Sequence, residues 1–200
     1  GPSGAPRRGR LDVLPTGRNF FSVDVRNLPT TTAWRIGFQS ANLILERHLQ
    51  DHGDHLRQLG LSVWGTATMR TGGDDIAQAM ALMGVRPVWA TGSQRVDDFE
   101  ILPLSLLDRP RVDVTLRVSG FFRDAFANLM FLFHAAVQAV AALDEPDDMN
   151  PLAAKVRGER EALLASGLEP EAAARQAGWR IFGAKPGAYG AGGQGAIDGR

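Results

Sequence analysis

The chain has 200 residues, 44% of them hydrophobic, with no cysteine and with 22 basic residues balanced by 22 acidic ones. That length and apolar content suit one domain, or one domain with an appendage, built on a substantial core. The charge balance removes the electrostatic case for a nucleic-acid or membrane-surface protein, while the lack of cysteine excludes disulfides, thiolate zinc sites and cysteine nucleophiles and permits a cytoplasmic protein.

Residues 1–30 carry Gly, Pro and Arg without periodicity and lack the apolar core of a secretion signal. Within them, Pro15-Thr16-Gly17-Arg18-Asn19-Phe20-Phe21 joins a turn former to a guanidinium, an amide and two aromatics, which suits carboxylate binding and equally an ordered loop. Thr30 to Thr32 offer caps for a helix with apolar positions at Trp34, Phe38, Ala41, Leu45 and Leu49, which Gly53 should stop. Residues 59–64 read as a strand leading through Gly65 into the turn Thr71-Gly72-Gly73-Asp74-Asp75 and a short helix closed by Gly84. Residues 85–89 form the next strand, 96–102 an excursion, and 104–107 a helical or turn segment. Residues 112–118 alternate as a strand, and Ser119-Gly120 opens a long helix over about 121–143. Pro146 ends it, Asn150-Pro151 begin another that Gly167 stops, and 170–182 form a further helix.

Strands separated by helices predict an α/β fold: a layered, parallel-type sheet with flanking helices over residues 1–146. A helical carboxyl-terminal appendage follows at 147–182, then a truncated Gly-rich loop at 183–200. No apolar stretch is long enough to cross a bilayer. In such a fold ligands bind beyond the carboxyl ends of the strands.

Two turns are expected there. Asp74 and Asp75 follow a glycine pair and precede the apolar run 76–83, so a carboxylate at this place can accept a proton or relay a metal, with Arg70 and Thr71 beside it. An aspartate between Gly-Gly and a helix is also a good N-cap, and capping explains one of the two acids equally well. Ser119-Gly120-Phe121-Phe122-Arg123-Asp124 repeats the design at the next strand end. Phe121 and Phe122 are suited to lining a flat macrocycle and equally to a core, while Asp124 is favoured near a helix start. His48, His52 and His55 stand beside Asp51 and Asp54 at a spacing workable for a divalent transition metal, against which Gly53 and a solvated helix end weigh. His134, inside an apolar run, reads as a packed or hydrogen-bonded histidine. Lys155 and Lys185 are the only lysines, so arginine supplies the other twenty cations, a bias that suits carboxylate ligands and also follows from a GC-rich genome. No Gly-x-x-x-x-Gly-Lys-[Ser/Thr] occurs, so ATP use has to be supplied elsewhere.

Segments spread along nearly the whole chain resemble the large subunit of aerobic cobaltochelatase: Pro15 to Asn19, Leu49-Gln50-Asp51-His52-Gly53, Ser62-Val63-Trp64-Gly65-Thr66, Met69 to Gln78, Gly84-Val85-Arg86-Pro87-Val88, Arg109 to Val114, Ser119 to Phe126 and Leu143-Asp144-Glu145-Pro146. The large subunit of magnesium chelatase belongs to the same superfamily, but its turn reads more like Thr-Tyr-Gly-Glu, and Thr71 to Asp75 is similar to the cobalt type. The resemblance implies ATP-dependent insertion of cobalt(II), as substrate, into hydrogenobyrinic acid a,c-diamide. Two partner subunits of the AAA+ type are implied to hydrolyse the ATP, and the magnesium reaction or a non-catalytic tetrapyrrole-binding module is the alternative. It implies that Asp74 relays a proton or passes the ion with Asp75 in support, and that Arg70, Arg123, Arg18 and Asn19 meet the substrate's peripheral carboxylates and amides. His55 after Asp54, and Ala67-Thr68 before Met69, depart from the usual pattern. The family polypeptide is several times longer, so the chain is expected to be a fragment.

Overall fold

The computed structural model describes residues 23–185; Arg18, Asn19 and most of the 183–200 loop lie outside them. Thr30 accepts a hydrogen bond from the Ala33 N–H at 3.1 Å and starts helix α1 (Thr31–His52), which Gly53 ends at φ 77°. The buried face of α1 is Ala33, Gly37 and Ala41, small residues four apart, and this lets helix α3 (Asp74–Met83) approach closely. A Cβ on Gly37 would stand 2.6 Å from the Gln78 nitrogen and 2.7 Å from the Asp74 carbonyl oxygen. From Ile76 to Met83 every residue of α3 except Gln78 is buried, so this helix is the centre of the core.

Strand β1 (Gln58–Val63) leads into helix α2 (Gly65–Thr71), and α3 follows after Gly72-Gly73. A hairpin of β2 (Val85–Trp89) and β3 (Val96–Ile101) and the short helix α4 (Leu104–Leu107) come next. Strand β4 (Asp113–Val118) pairs in parallel with β1, from Gln58↔Asp113 to Val63↔Val118. Helices α5 (Gly120–Ala125), α6 (Ala127–Ala141), α7 (Pro151–Ala165) and α8 (Pro170–Ala177) follow, and β5 (Ile181–Gly183) joins the other side of β4 in parallel. The parallel sheet therefore has the order β1-β4-β5, with helices packed about it.

The structure departs from the sequence reading in four places. Helix α2 occupies the span read as a direct strand-to-turn connection. Strand β2 pairs antiparallel with β3 outside the parallel sheet, because residues 90–95 are far too few for a parallel crossover, which needs a dozen or more. The helix expected at 121–143 breaks at Phe126, which has φ −125° and ψ 41°. In an unbroken helix, residues five apart lie about 140° around the axis; the break lets the Phe126 ring meet both Phe122 at 5.3 Å and Phe121 at 6.2 Å. Finally, the helix expected at 170–182 stops at Ala177, and the chain returns to the sheet as β5. The expected helical appendage thus contributes a strand, anchored by the buried Arg180, whose Nε donates to Asp113 Oδ1 at 2.6 Å.

One polar network ties the core together. Arg111, 1% exposed, makes two hydrogen bonds to the Glu145 carboxylate and donates to the carbonyls of Met83, Gly84 and Leu102. Asn150, also buried, donates to Glu145 and to the Val140 carbonyl while its side-chain oxygen caps α7 at the Ala153 N–H. The carbonyls at the end of α3, left without helical partners, are satisfied this way, and Arg109 adds bonds to those of Ala81 and Leu82. Burial, with Arg111 beside it, lowers the Arg109 guanidinium to about 10.

Candidate functional site

The carboxyl ends of β1 and β4 are locked side by side. The Ser119 N–H donates to the Val63 carbonyl at 2.9 Å, and Ser119 Oγ accepts from both the Gly65 and Phe122 N–H groups at 3.2 Å. One hydroxyl thus starts α2 and α5 together. Gly65 is necessary here, since a Cβ would lie 2.5 Å from the Phe121 ring and 2.8 Å from the Phe122 nitrogen. Phe121 is 37% exposed and Trp64 47% exposed, so an aromatic follows the end of each paired strand at the surface. Phe122, by contrast, is wholly buried and packs on Phe126; of the pair expected to face a macrocycle, only Phe121 reaches the surface.

The Thr71–Asp75 turn is enclosed. Thr71, Gly72 and Gly73 are buried, with the two glycines at φ 79° and φ 87°, where a side chain is strained. The segment Leu28-Pro29-Thr30 covers them: the Thr30 N–H donates to the Gly72 carbonyl at 3.0 Å, and a Cβ on Gly73 would stand 3.3 Å from Pro29 Cα. Trp89 Nε1 donates to the Pro29 carbonyl at 3.0 Å and holds that segment in turn. Neither aspartate is the N-cap. Gly73 occupies that position, and the Thr71 hydroxyl accepts from the Gly73 and Asp74 N–H groups at 3.3 Å, so the capping expectation passes from the acids to Thr71.

Asp74 and Asp75 are therefore the first two residues of α3, half-buried, where the helix dipole favours negative charge. Asp75 Oδ1 accepts from the Ile76 N–H at 2.9 Å, and the Thr68 hydroxyl lies 3.1 Å from Oδ2 and 3.4 Å from Oδ1. Burial pushes the Asp75 carboxyl above the ordinary carboxylate range, against its hydrogen bonds and with a further contribution from the Asp74 charge. Thr68 also lies 3.1 Å from the Trp64 carbonyl, so the acid on α3 is one hydroxyl away from the strand end where Phe121 sits. Helix α2 separates the end of β1 from the Thr71–Asp75 turn in sequence, and Thr68 links the two back. Sequence reading passed over Thr68, Ser119 as a double acceptor and Gly37; a buried hydroxyl on a short helix leaves no periodic signal.

The remaining expected residues fall as follows. Arg70 is exposed in the last turn of α2. Arg123 chelates Asp124 through Nε and Nη2 and donates from Nη1 to the carbonyls of Ala184 at 2.6 Å and Lys185 at 2.9 Å, so it clamps the returning chain onto α5. That ion pair holds the Asp124 carboxyl below its usual range. The His48 and His52 rings are 4.4 Å apart and His48 faces Asp54 at 3.6 Å, yet among the described residues no three such groups come together to hold a metal ion. His134 is exposed on α6, not packed. A groove of about 470 Å³ lies among α7, α8 and β5, with Lys155, Trp179 and Phe182 on its walls, and none of its lining residues belongs to either turn. Among the described residues, no helix is long and apolar enough to cross a membrane.

The whole sequence is 84% identical to the aerobic cobaltochelatase subunit CobN of Pseudomonas aeruginosa, of which it covers 16%. It is 38% identical over 190 residues to the chloroplastic magnesium-chelatase subunit ChlH of Oryza sativa, covering 94% of this chain and 13% of that protein. The fold matches the catalytic subunit of cobaltochelatase from Mycobacterium tuberculosis with a TM-score of 0.83 and 49% identity, over 99% of this chain and 16% of that one. The chain thus spans between about one eighth and one sixth of the length of these relatives. Residues 1–200 match the CobN/Magnesium Chelatase family, and the chain belongs to it.

Proposed function

We propose that the chain is a segment of the tetrapyrrole-holding large subunit of an aerobic cobaltochelatase, acting in the cytoplasm. Its substrates are cobalt(II) and hydrogenobyrinic acid a,c-diamide, and two AAA+ partner subunits hydrolyse ATP. The observation that carries the reading is the identity along the whole chain to a cobaltochelatase subunit, far above that to the magnesium-chelatase subunits. The absence of a P-loop sequence accords with ATP being handled elsewhere.

Insertion requires the ring N–H protons to leave, one from a corrin such as hydrogenobyrinic acid a,c-diamide and two from the porphyrin of the magnesium reaction, with each electron pair staying on nitrogen to bind the metal. Asp74 takes up and relays these protons, with Asp75 as its supporting acid on the same helical turn. The rigid glycine turn beneath them fixes the geometry in advance. Phe121 offers its exposed ring to the macrocycle, and Arg70, with Arg18 and Asn19, meets the peripheral carboxylates and amides. Arg123 shapes the rim through its hold on the chain at Ala184 and Lys185, with Asp124 fixing its guanidinium.

The test uses the full-length large subunit with both partner subunits, ATP, cobalt(II) and the diamide, followed by the tetrapyrrole absorbance. Asp74→Asn is expected to abolish most turnover without unfolding the protein, because Thr71 and not Asp74 caps the helix. Normal turnover in that variant would overturn the assignment, and turnover with magnesium and protoporphyrin but not with cobalt would overturn the choice of metal.

A further inference from the structure

We infer that Thr68 is a positioning residue of this site: its hydroxyl on α2 aims the Asp75 carboxylate on α3 and stays hydrogen-bonded whether or not that carboxylate holds a proton. The inference rests on the proposed chelatase reading and extends it to a residue that touches no substrate.

Thr68 is 0% exposed, so water cannot substitute for its partners. Its oxygen stands 3.1 Å from Asp75 Oδ2 on one side and 3.1 Å from the Trp64 carbonyl on the other. A hydroxyl has a single proton to donate and two lone pairs to accept with. When Asp75 is ionised, that proton points at Oδ2; the Trp64 carbonyl keeps its bond from the Thr68 N–H at 2.9 Å, so nothing is left unpaired. When Asp75 is protonated, its O–H donates to Thr68 Oγ1, and the hydroxyl turns to the Trp64 carbonyl. Both protonation states are satisfied by rotating one bond, while Oδ1 stays fixed by the Ile76 N–H. The transferred proton leaves a substrate N–H, its electron pair staying on nitrogen, is taken up by Asp74 and relayed to Asp75, where it resides until released. A carboxylate that gains and loses a proton inside a packed site needs such a partner, because an unmet buried polar group opposes one of the two states.

The experiment compares Thr68→Val, Thr68→Ser and Asp75→Asn in the full-length large subunit with both partner subunits, under the assay above. Valine keeps the branched shape and removes the hydroxyl; serine keeps the hydroxyl. Thr68→Val is expected to lower kcat roughly 10- to 100-fold with KM for the tetrapyrrole unchanged, and Thr68→Ser to recover most of it. If Thr68→Val turns over normally while Asp75→Asn does not, the role of Thr68 is refuted and that of the acid stands. If Asp75→Asn itself turns over normally, the part given to Asp75 in the chelatase reading fails. Equal losses in the valine and serine variants, accompanied by equal falls in melting temperature, would make Thr68 a packing residue and refute the inference.

Discussion

Truncating Arg111 should cost several kcal/mol of stability, far more than truncating an exposed charged residue such as Arg70. In Arg111→Ala, Glu145 loses two charge-assisted bonds at 2.7 and 2.8 Å, and the carbonyls of Met83, Gly84 and Leu102 lose donors at 2.9 to 3.2 Å. The Glu145 side chain is only 15% exposed, so its charge cannot be rehydrated without opening the junction of β2, α6 and α7. Breaking a buried pair from one side costs about 3–5 kcal/mol. For a chain of this size that corresponds to a fall in melting temperature of roughly 6–20 °C. The assay is urea and thermal unfolding of the 200-residue chain, with Arg111→Ala, Glu145→Ala and the double variant compared as a cycle. Because most of the cost is the charge left behind, the double variant should lose less than the sum of the singles by at least about 1 kcal/mol. A single-variant loss under about 1 kcal/mol, or strict additivity, would refute the account of the network.

Phe122→Ala should cost about 3–5 kcal/mol as a core truncation, whereas Phe121→Ala should cost far less in unfolding and instead weaken binding of the tetrapyrrole measured by absorbance titration. Gly37→Ala pushes α1 against the Asp74 carbonyl and the Gln78 nitrogen, so it should lose roughly 1–3 kcal/mol by overpacking and lower turnover of the full enzyme along with melting temperature. Asp75 has a raised folded pKa, so the folded state binds more protons than the unfolded state just above the ordinary aspartate value of 3.8, and stability from this group falls as pH rises through the folded pKa. Asp75→Asn, whose amide still accepts from Ile76 and can donate to Thr68, should therefore flatten that acidic limb in urea unfolding and match or exceed the wild type at neutral pH.

Local signals were enough wherever one residue type decides the backbone. Helix α1 is bounded by Thr30 and Gly53 as read, α3 closes at Gly84, and Asn150-Pro151 opens α7, because capping hydroxyls, amides and left-handed glycines act within a turn of where they stand. The Gly-Gly-Asp-Asp turn and the Ser119 turn were visible for the same reason, and so was the family resemblance. Helix α2 was not visible: it is seven residues with three threonines, and it exists because Gly65 fits under Phe121 and Thr68 reaches Asp75. Strand β5 has only three residues and is defined by its pairing with β4 and by Arg180 on Asp113. Nor does any local pattern say which of Phe121 and Phe122 faces water, or that Arg111 reaches Glu145 thirty-four residues away. The sequence by itself determined the capped helices, the main strands, the two turns and the acids that head α3. The tertiary structure decided which acid Thr68 holds, what caps the helix and how the strand ends are joined to the acidic turn, because those depend on contacts between separate segments of the chain.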